Sequence, residues 1–176
     1  MSHPITPIPI STPIPVIQIV GYKNSGKTTT VCALVERLYA RGYRVGTVKH
    51  EAHDTELDTP GKDTWQHHGA GASVTAIASP GRSAIWENGE RSLPELLERM
   101  HGIDVIVVEG FKMAAYPKWV LLKEPSDFAL LDELSSVIGV SAWFPFEHSS
   151  LPVTPLGDYD AMLTNIITAI GLQPLT

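Results

Sequence analysis

The chain has 176 residues, of which 43 % are hydrophobic and 18 % are charged, and its formal net charge is −6 at pH 7. These values are typical of a globular domain with a sizeable core, whereas a nucleic-acid-binding surface would need clustered Lys and Arg. No apolar run reaches the ~18 residues of a membrane span, and no charged segment leads into an apolar one as in a signal peptide. We therefore expect a cytoplasmic protein without nucleic-acid or membrane partners. The single cysteine, Cys32, excludes an internal disulfide.

The amino-terminal residues 1–15 contain five prolines, which alternate with Ile or Thr. Proline lacks the N–H group that a sheet ladder requires, and terminal segments of this kind are commonly mobile. We expect residues 1–15 to form a flexible arm and residues 16–176 to form a single nucleotide-binding domain.

Residues 21–28, GYKNSGKT, match the phosphate-loop pattern GxxxxGK[ST] at every fixed position. Gly21 and Gly26 allow the loop to wrap its backbone N–H groups around phosphate oxygens. Lys27 places a cation at the outer phosphates, and the Thr28 hydroxyl is suited to the Mg²⁺ that accompanies a nucleoside triphosphate. The expected nucleotide-binding residues of this stretch are Gly21, Asn24, Ser25, Gly26, Lys27, Thr28 and Thr29.

The flanking sequence supports this interpretation. Residues 16–20 are a short apolar run of the kind found in buried parallel strands, and the apolar spacing of residues 31–38 predicts an amphipathic helix that ends before Gly42. Residues 44–49 predict a second, parallel strand. The sequence thus predicts an α/β fold of the P-loop NTPase type, with a mostly parallel twisted sheet flanked by helices.

Further elements are predicted along the rest of the chain. Two β-like runs, 73–79 and 83–87, are joined by a turn at residues 80–82, which predicts a β-hairpin insertion. A helix is expected after Ser92, strands are expected at 119–123 and 137–140, and a final helix is expected to begin near Asp158 or Asp160.

The polar stretch 50–63 follows the second strand at the edge where such sheets bind ligands. It contains His50, His53 and Asp54 in the pattern HxxHD, and then Lys62 and Asp63. Three interpretations remain open. We expect the loop to serve the nucleotide or a substrate, with Asp54 near Mg²⁺ and Lys62 near an anion. It could instead hold Zn²⁺, although zinc needs three or four ligands and no cysteine is nearby, or it could be a solvated loop.

Two further expectations concern the helix predicted after this loop. Asp63 or Thr64 is expected to cap the helix that follows the loop. His67 and His68 lie within that helix, and we expect them to be surface residues.

Residues 103–110, IDVIVVEG, have the form of a Walker B strand that delivers Glu109 to the edge of the sheet. A carboxylate there can hold Mg²⁺ or orient an attacking water. The alternative is that Glu109 merely ends a strand and faces solvent. The candidate catalytic residues are therefore Lys27, Glu109 and Asp54, and the candidate Mg²⁺ ligands are Thr28, Glu109 and Asp54.

Several short motifs make residues 16–124 resemble the MobB family of molybdopterin-guanine dinucleotide biosynthesis adaptor proteins. The motifs are VKH with HD at residues 48–54, PGKD at 60–63, AGA at 70–72 and VEGFK at 108–112. The resemblance implies a protein that binds GTP with Mg²⁺, hydrolyses GTP weakly and forms a homodimer. It also implies that the protein assists a MobA-type nucleotidyltransferase in converting molybdopterin to its guanine dinucleotide. The position of the 50–63 loop at the carboxyl end of the second strand separately places His50, Lys62 and Asp63 among the expected binding residues. No NKxD segment is present, so the choice of guanine rests on the resemblance.

Two other functions remain open. A small-molecule kinase could use Glu109 or Asp54 as the base for an acceptor hydroxyl, but it would need a lid with mobile arginines, and none of the loops is rich in Arg. A metallochaperone GTPase could use His50 and His53 with His67 or His68 as metal ligands, and metal analysis would distinguish it.

Overall fold

The computed structural model describes residues 14–51 and 58–175. Most of the proline-rich arm, residues 1–13, lies outside the described residues, and so do His53 and Asp54. The strands are β1 (Val16–Val20), β2 (Val45–Lys49), β3 (Val74–Ser79), β4 (Arg82–Glu87), β5 (Val105–Glu109), β6 (Lys118–Leu122), β7 (Val137–Ala142) and β8 (Val153–Pro155). The helices are α1 (Lys27–Ala40), α2 (Asp63–Gly69), α3 (Leu93–Glu98), α4 (Ala129–Glu133) and α5 (Tyr159–Ile170), with a 3₁₀ helix at Pro125–Phe128.

The described chain forms two compact units. One contains the described residues 51 and 58–97, and the other contains the described residues 14–50 and 98–175. No helix within the described ranges is both long enough and apolar enough to cross a membrane.

The larger unit is built on a six-stranded sheet in the order β2-β5-β1-β6-β7-β8. Every neighbouring pair in this sheet is parallel, so the predicted fold class is confirmed. The first two strands are not neighbours, because β5 lies between them and pairs with both. This order brings the end of the Walker B strand directly beside the end of the strand that leads into the phosphate loop.

Both faces of the sheet are covered, as expected for parallel strands. Successive residues of β1 point to opposite faces, so Ile19 packs in one core and Val20 in the other. The first core includes residues of α1 and α5, such as Leu34 and Met162. The second includes Leu130 of α4 and the partly buried Phe128, Phe144 and Phe146.

A buried lysine supports the short connection between β5 and β6. Lys118 is fully buried at the start of β6, and its Nζ donates hydrogen bonds to the backbone carbonyls of Ala114, Tyr116 and Ser135. Burial lowers the pKa of this ammonium group. Three carbonyl acceptors match the three protons of the ammonium group, so this buried cation is fully hydrogen-bonded.

The smaller unit contains α2 and the antiparallel β3–β4 hairpin, in which Ala76 pairs with Ile85. The predicted hairpin is therefore confirmed. The predicted cap of α2 is wrong, because Lys62 occupies the N-cap position without a side-chain hydrogen bond. Asp63 instead lies in the first turn, where its carboxylate complements the helix dipole.

Most of the other predicted elements agree with the structure to within a few residues. Gly42 has a φ of 89° just after α1 and ends that helix as expected. Asp158 is the N-cap of α5 and accepts a hydrogen bond from the N–H of Ala161, at 3.1 Å. The sequence reasoning did not predict the 3₁₀ helix, α4 or β8.

Gly139 of β7 has a packing role that a helix or strand pattern does not reveal. It pairs with Trp119 of β6, whose side chain is fully buried. A β-carbon added at Gly139 would lie 2.3 Å from Cζ3 of that indole. The bare backbone at position 139 therefore makes the space that the tryptophan ring occupies.

We expect Gly139→Ala to destabilise the larger unit by about 1–3 kcal/mol, because the buried ring has to leave its present position. For a chain of this size that corresponds to a melting temperature lower by roughly 2–4 °C per kcal/mol. Thermal unfolding followed by circular dichroism measures the change. The control is Gly69→Ala, since nothing lies within 4 Å of a β-carbon there, and equal stability of the two variants would contradict the packing argument.

Candidate functional site

The phosphate loop connects β1 to α1 and has the backbone shape that an anion cradle requires. Asn24 and Gly26 both have positive φ angles, 62° and 94°, and Gly26 is the N-cap residue of α1. A β-carbon at Gly21 would lie 2.5 Å from Oγ of Ser25 and 2.7 Å from the backbone oxygen of Leu121. The loop is therefore closed tightly at Gly21, and it leads into the amino terminus of α1, the positive end of the helix dipole.

Lys27 lies over this loop. Its Nζ donates hydrogen bonds to the backbone oxygens of Gly21, at 3.0 Å, and of Tyr22, at 2.7 Å. Burial lowers the pKa of the Lys27 ammonium group, the charge of Glu109 acts in the opposite direction, and Lys49 adds to the lowering. The site thus holds a cation against the carbonyls of the phosphate loop, within reach of an anion bound there.

Thr28 and Glu109 join the helix to the neighbouring strand. The Thr28 hydroxyl donates a hydrogen bond to Oε1 of Glu109, at 2.9 Å. Glu109 is the last residue of β5, in register with Ile19 of β1 and with Lys49 of β2. Its side chain is buried, with 8 % of the residue exposed, so the alternative in which Glu109 faces solvent is wrong.

Two side-chain oxygens of the kind that Mg²⁺ prefers therefore lie side by side next to the phosphate loop. Both the donor set and the tight backbone cradle fit a magnesium-bound triphosphate. When bound, Mg²⁺ supplies positive charge that neutralises the phosphate oxygens. The residues that would hold it are Thr28 and Glu109.

The segment after Glu109 is fixed by a residue that the sequence reasoning missed. Gly110 and Phe111 both have positive φ angles, 89° and 51°, and Nε2 of Gln18 donates hydrogen bonds to their backbone oxygens at 2.9 and 2.7 Å. Gln18 is fully buried in β1. The sequence does contain an indication of this role: Gln18 is a polar residue in the middle of an otherwise apolar strand, and a buried polar side chain needs a hydrogen-bond partner.

His50 lies beside the same segment. Its N–H donates a hydrogen bond to the backbone oxygen of Glu109, at 2.9 Å, and its ring centroid is 4.6 Å from that of Phe111. A β-carbon at Gly110 would lie 3.1 Å from Cβ of His50. These contacts place His50 beside the backbone of Glu109 and Gly110 at the end of β5, and its predicted role in binding stays a prediction.

Three other predicted site residues are Thr29, Lys62 and Asp63. Thr29 is exposed in the first turn of α1. Lys62, Asp63 and His68 belong to the smaller unit, in which Nε2 of His68 is 2.5 Å from Oδ1 of Asn88. Roles for Lys62 and Asp63 remain predictions.

The possible metal site of the 50–63 loop is a separate question. Residues 14–51 and 58–175 contain no cluster of three or more His, Cys, Asp or Glu side chains suited to a metal ion. Two of the predicted ligands, His53 and Asp54, lie outside those ranges. The expected role of this loop in nucleotide or substrate binding therefore stays a prediction.

The fold and the site together define a P-loop α/β protein, with a phosphate loop after its first strand and an acidic Walker B residue on the neighbouring strand. Comparison with known proteins narrows this class. The model of the family "Molybdopterin guanine dinucleotide synthesis protein B", or MobB, matches residues 16–143. The chain belongs to this family.

Individual relatives agree with this assignment. The chain is 36 % identical over 147 residues to a protein of Bacillus subtilis named "Probable molybdopterin-guanine dinucleotide biosynthesis adapter protein", covering 80 % of this chain and 85 % of that relative. The crystal structure of Bacillus subtilis MobB superposes with a TM-score of 0.76 at 32 % identity, over 89 % of this chain and 98 % of the other. A MobB homologue from Bacillus stearothermophilus gives 0.74 at 30 % identity, over 91 % of this chain and 100 % of the other.

We expect Gly21→Ala to disrupt the phosphate loop, because its methyl group would overlap a backbone oxygen of β6 that cannot move freely. Overpacking of this kind costs about 1–3 kcal/mol, and a shifted loop also loses its anion cradle. Thermal unfolding and calorimetric titration with GTP and Mg²⁺ measure the two effects. A variant with wild-type stability and affinity would show that the loop is not closed as tightly at Gly21 as the structure indicates.

Proposed function

We propose that this protein is a GTP-binding adapter that assists the conversion of molybdopterin to molybdopterin guanine dinucleotide, with weak GTPase activity. Membership of the MobB family and the names of its relatives support the adapter role. The observation that carries the nucleotide part is the arrangement of Lys27, Thr28 and Glu109 around one closed phosphate loop.

Each of these residues has a distinct part in the proposed binding mode. The backbone of the loop binds the phosphates at the amino terminus of α1. Lys27 exchanges its carbonyl partners Gly21 and Tyr22 for phosphate oxygens, which are stronger acceptors because they are charged. Thr28 and Glu109 hold Mg²⁺, and Glu109 can also orient a water for hydrolysis.

Slow hydrolysis is consistent with a role in binding and presentation. Rapid phosphoryl transfer in P-loop proteins usually requires an arginine that stabilises the transition state, and no such residue is identifiable from the sequence. The bound nucleotide would then act mainly by fixing the conformation of the phosphate loop and of the carboxyl end of β5 at Glu109. Guanine as the base, a homodimer, a MobA-type nucleotidyltransferase as partner and a cytoplasmic location belong to the same proposal, with support from the family alone.

Lys27→Ala should abolish detectable triphosphate binding, because it removes the cation nearest to the outer phosphates. The matched control is Lys23→Ala, which removes the same charge from an exposed position of the same loop. Calorimetric titration with GTP and Mg²⁺ compares the two variants after their melting temperatures have been checked. Unchanged affinity in a folded Lys27→Ala protein would refute the phosphate-loop assignment.

Glu109→Gln should retain nucleotide binding and lose most of the slow hydrolysis. The amide oxygen can still accept the hydrogen bond from Thr28, so the local packing is preserved, whereas the negative charge that positions Mg²⁺ or water is removed. Single-turnover hydrolysis of GTP measures the effect. If both proteins hydrolysed GTP at the same rate, the catalytic role would move to another residue, and Asp54 would be the next candidate.

A further inference from the structure

Trp143 lies directly after β7 and contacts the phosphate loop. Its indole Nε1 donates a hydrogen bond to the backbone oxygen of Ser25, at 3.1 Å, and its own N–H donates to the backbone oxygen of Leu122, at 3.0 Å. Despite these two attachments, 56 % of the residue is exposed. A large aromatic side chain is thus held in a fixed position while much of its ring remains open to solvent.

The ring borders the start of α1. A β-carbon added at Gly26 would lie 3.9 Å from Cζ2 of Trp143 and 3.8 Å from Cδ2 of the half-buried Leu156. Because residue 26 is a glycine, no side chain separates the phosphate loop from the apolar surface formed by Trp143 and Leu156. An aromatic plane therefore continues the binding surface beyond the backbone cradle.

Trp143 also lies on the side of the loop away from the proposed metal ligands. In the sheet order β5-β1-β6-β7, Glu109 ends the strand on one side of β1, and Trp143 follows the strand two places away on the other side. Neighbouring strands are about 4.8 Å apart, so β7 lies roughly 10 Å from β1 across the sheet. A triphosphate whose metal-bound end lies at Thr28 and Glu109 would extend its nucleoside end toward Trp143.

From this placement we propose that Trp143 is the stacking surface for the base of the nucleotide bound by the phosphate loop. The inference rests on the proposed nucleotide binding and adds the subsite for the base. A stacked indole contacts the π-face that every base presents. Trp143 therefore contributes affinity without distinguishing guanine from adenine.

The hydrogen bond to Ser25 gives Trp143 a second role that has to be separated from stacking. Both Trp143→Phe and Trp143→Leu remove the indole N–H, but only the Phe variant keeps an aromatic plane. The comparison between these two variants therefore isolates the aromatic face. Inorganic tripolyphosphate with Mg²⁺ serves as a probe that fills the phosphate loop without a base.

We expect Trp143→Leu to bind GTP roughly tenfold more weakly than Trp143→Phe, with the same ratio for ATP, as base–aromatic stacking is worth about 1–3 kcal/mol and 1.4 kcal/mol is a factor of about ten. Both variants should bind tripolyphosphate equally. Calorimetric titration gives all of these affinities, and melting temperatures confirm that each variant is folded.

Tryptophan fluorescence provides a second measurement that does not depend on the Leu variant. The difference between the emission of the wild type and that of Trp143→Phe isolates Trp143 from the other three tryptophans, Trp65, Trp86 and Trp119. GTP should quench this difference signal, and tripolyphosphate should leave it largely unchanged.

Several outcomes would overturn the proposal, and they are distinguishable from failure of the nucleotide-binding function. Equal GTP affinities of the two variants, or a parallel loss of tripolyphosphate affinity, would show that Trp143 only supports the loop. Wild-type protein that bound tripolyphosphate as tightly as GTP would refute the base subsite and leave the phosphate site intact. Wild-type protein that bound neither probe would refute the proposed function itself.

Discussion

The hydrogen bond between Thr28 and Glu109 is the contact on which the organisation of the site depends. A buried carboxylate is costly unless it is hydrogen-bonded or paired with a cation, and Glu109 has the Thr28 hydroxyl as its partner at 2.9 Å. This contact requires the first turn of α1 to lie against the end of β5. The sheet order meets that requirement, because β5 pairs with β1 and places Glu109 opposite Ile19.

The charges near this contact shift the pKa of the Lys27 ammonium group in opposite directions. Burial disfavours the ammonium form of Lys27, the negative charge of Glu109 favours it, and the positive charge of Lys49 disfavours it again, with a lowered pKa as the net result. An anion bound in the loop would add negative charge close to Lys27 and favour the ammonium form. Binding of such an anion would therefore raise the lowered pKa of Lys27.

Much of the fold and part of the site could be predicted from the sequence, because the relevant signals are local. The phosphate loop, the strand before it and the helix after it lie within 25 residues, from Val16 to Ala40, and the hairpin is marked by its own turn. Features that depend on tertiary neighbours could not be predicted in this way, because no local sequence pattern marks them. The position of β5 between β1 and β2 follows from strand pairing across the whole unit, and β8 is only a three-residue strand.

The missed site residues have the same explanation. Gln18 gains its role from the carbonyls of Gly110 and Phe111, more than 90 residues away in the chain, and Trp143 gains its position from contact with Ser25. The prediction that Asp63 or Thr64 caps α2 failed for a different reason, since the helix begins at Asp63 itself and places both residues in its first turn.

The buried Lys118 has a consequence for chemical probing of this protein. Its amine is enclosed by the carbonyls of Ala114, Tyr116 and Ser135 and is fully shielded from solvent, whereas acylating reagents require an accessible, neutral amine. Lys118 therefore reacts only when β6 separates from its surroundings. The rate of its modification, measured by mass spectrometry, would report opening of the sheet's centre. Exposed lysines such as Lys23 would report the reactivity of the reagent in the same sample.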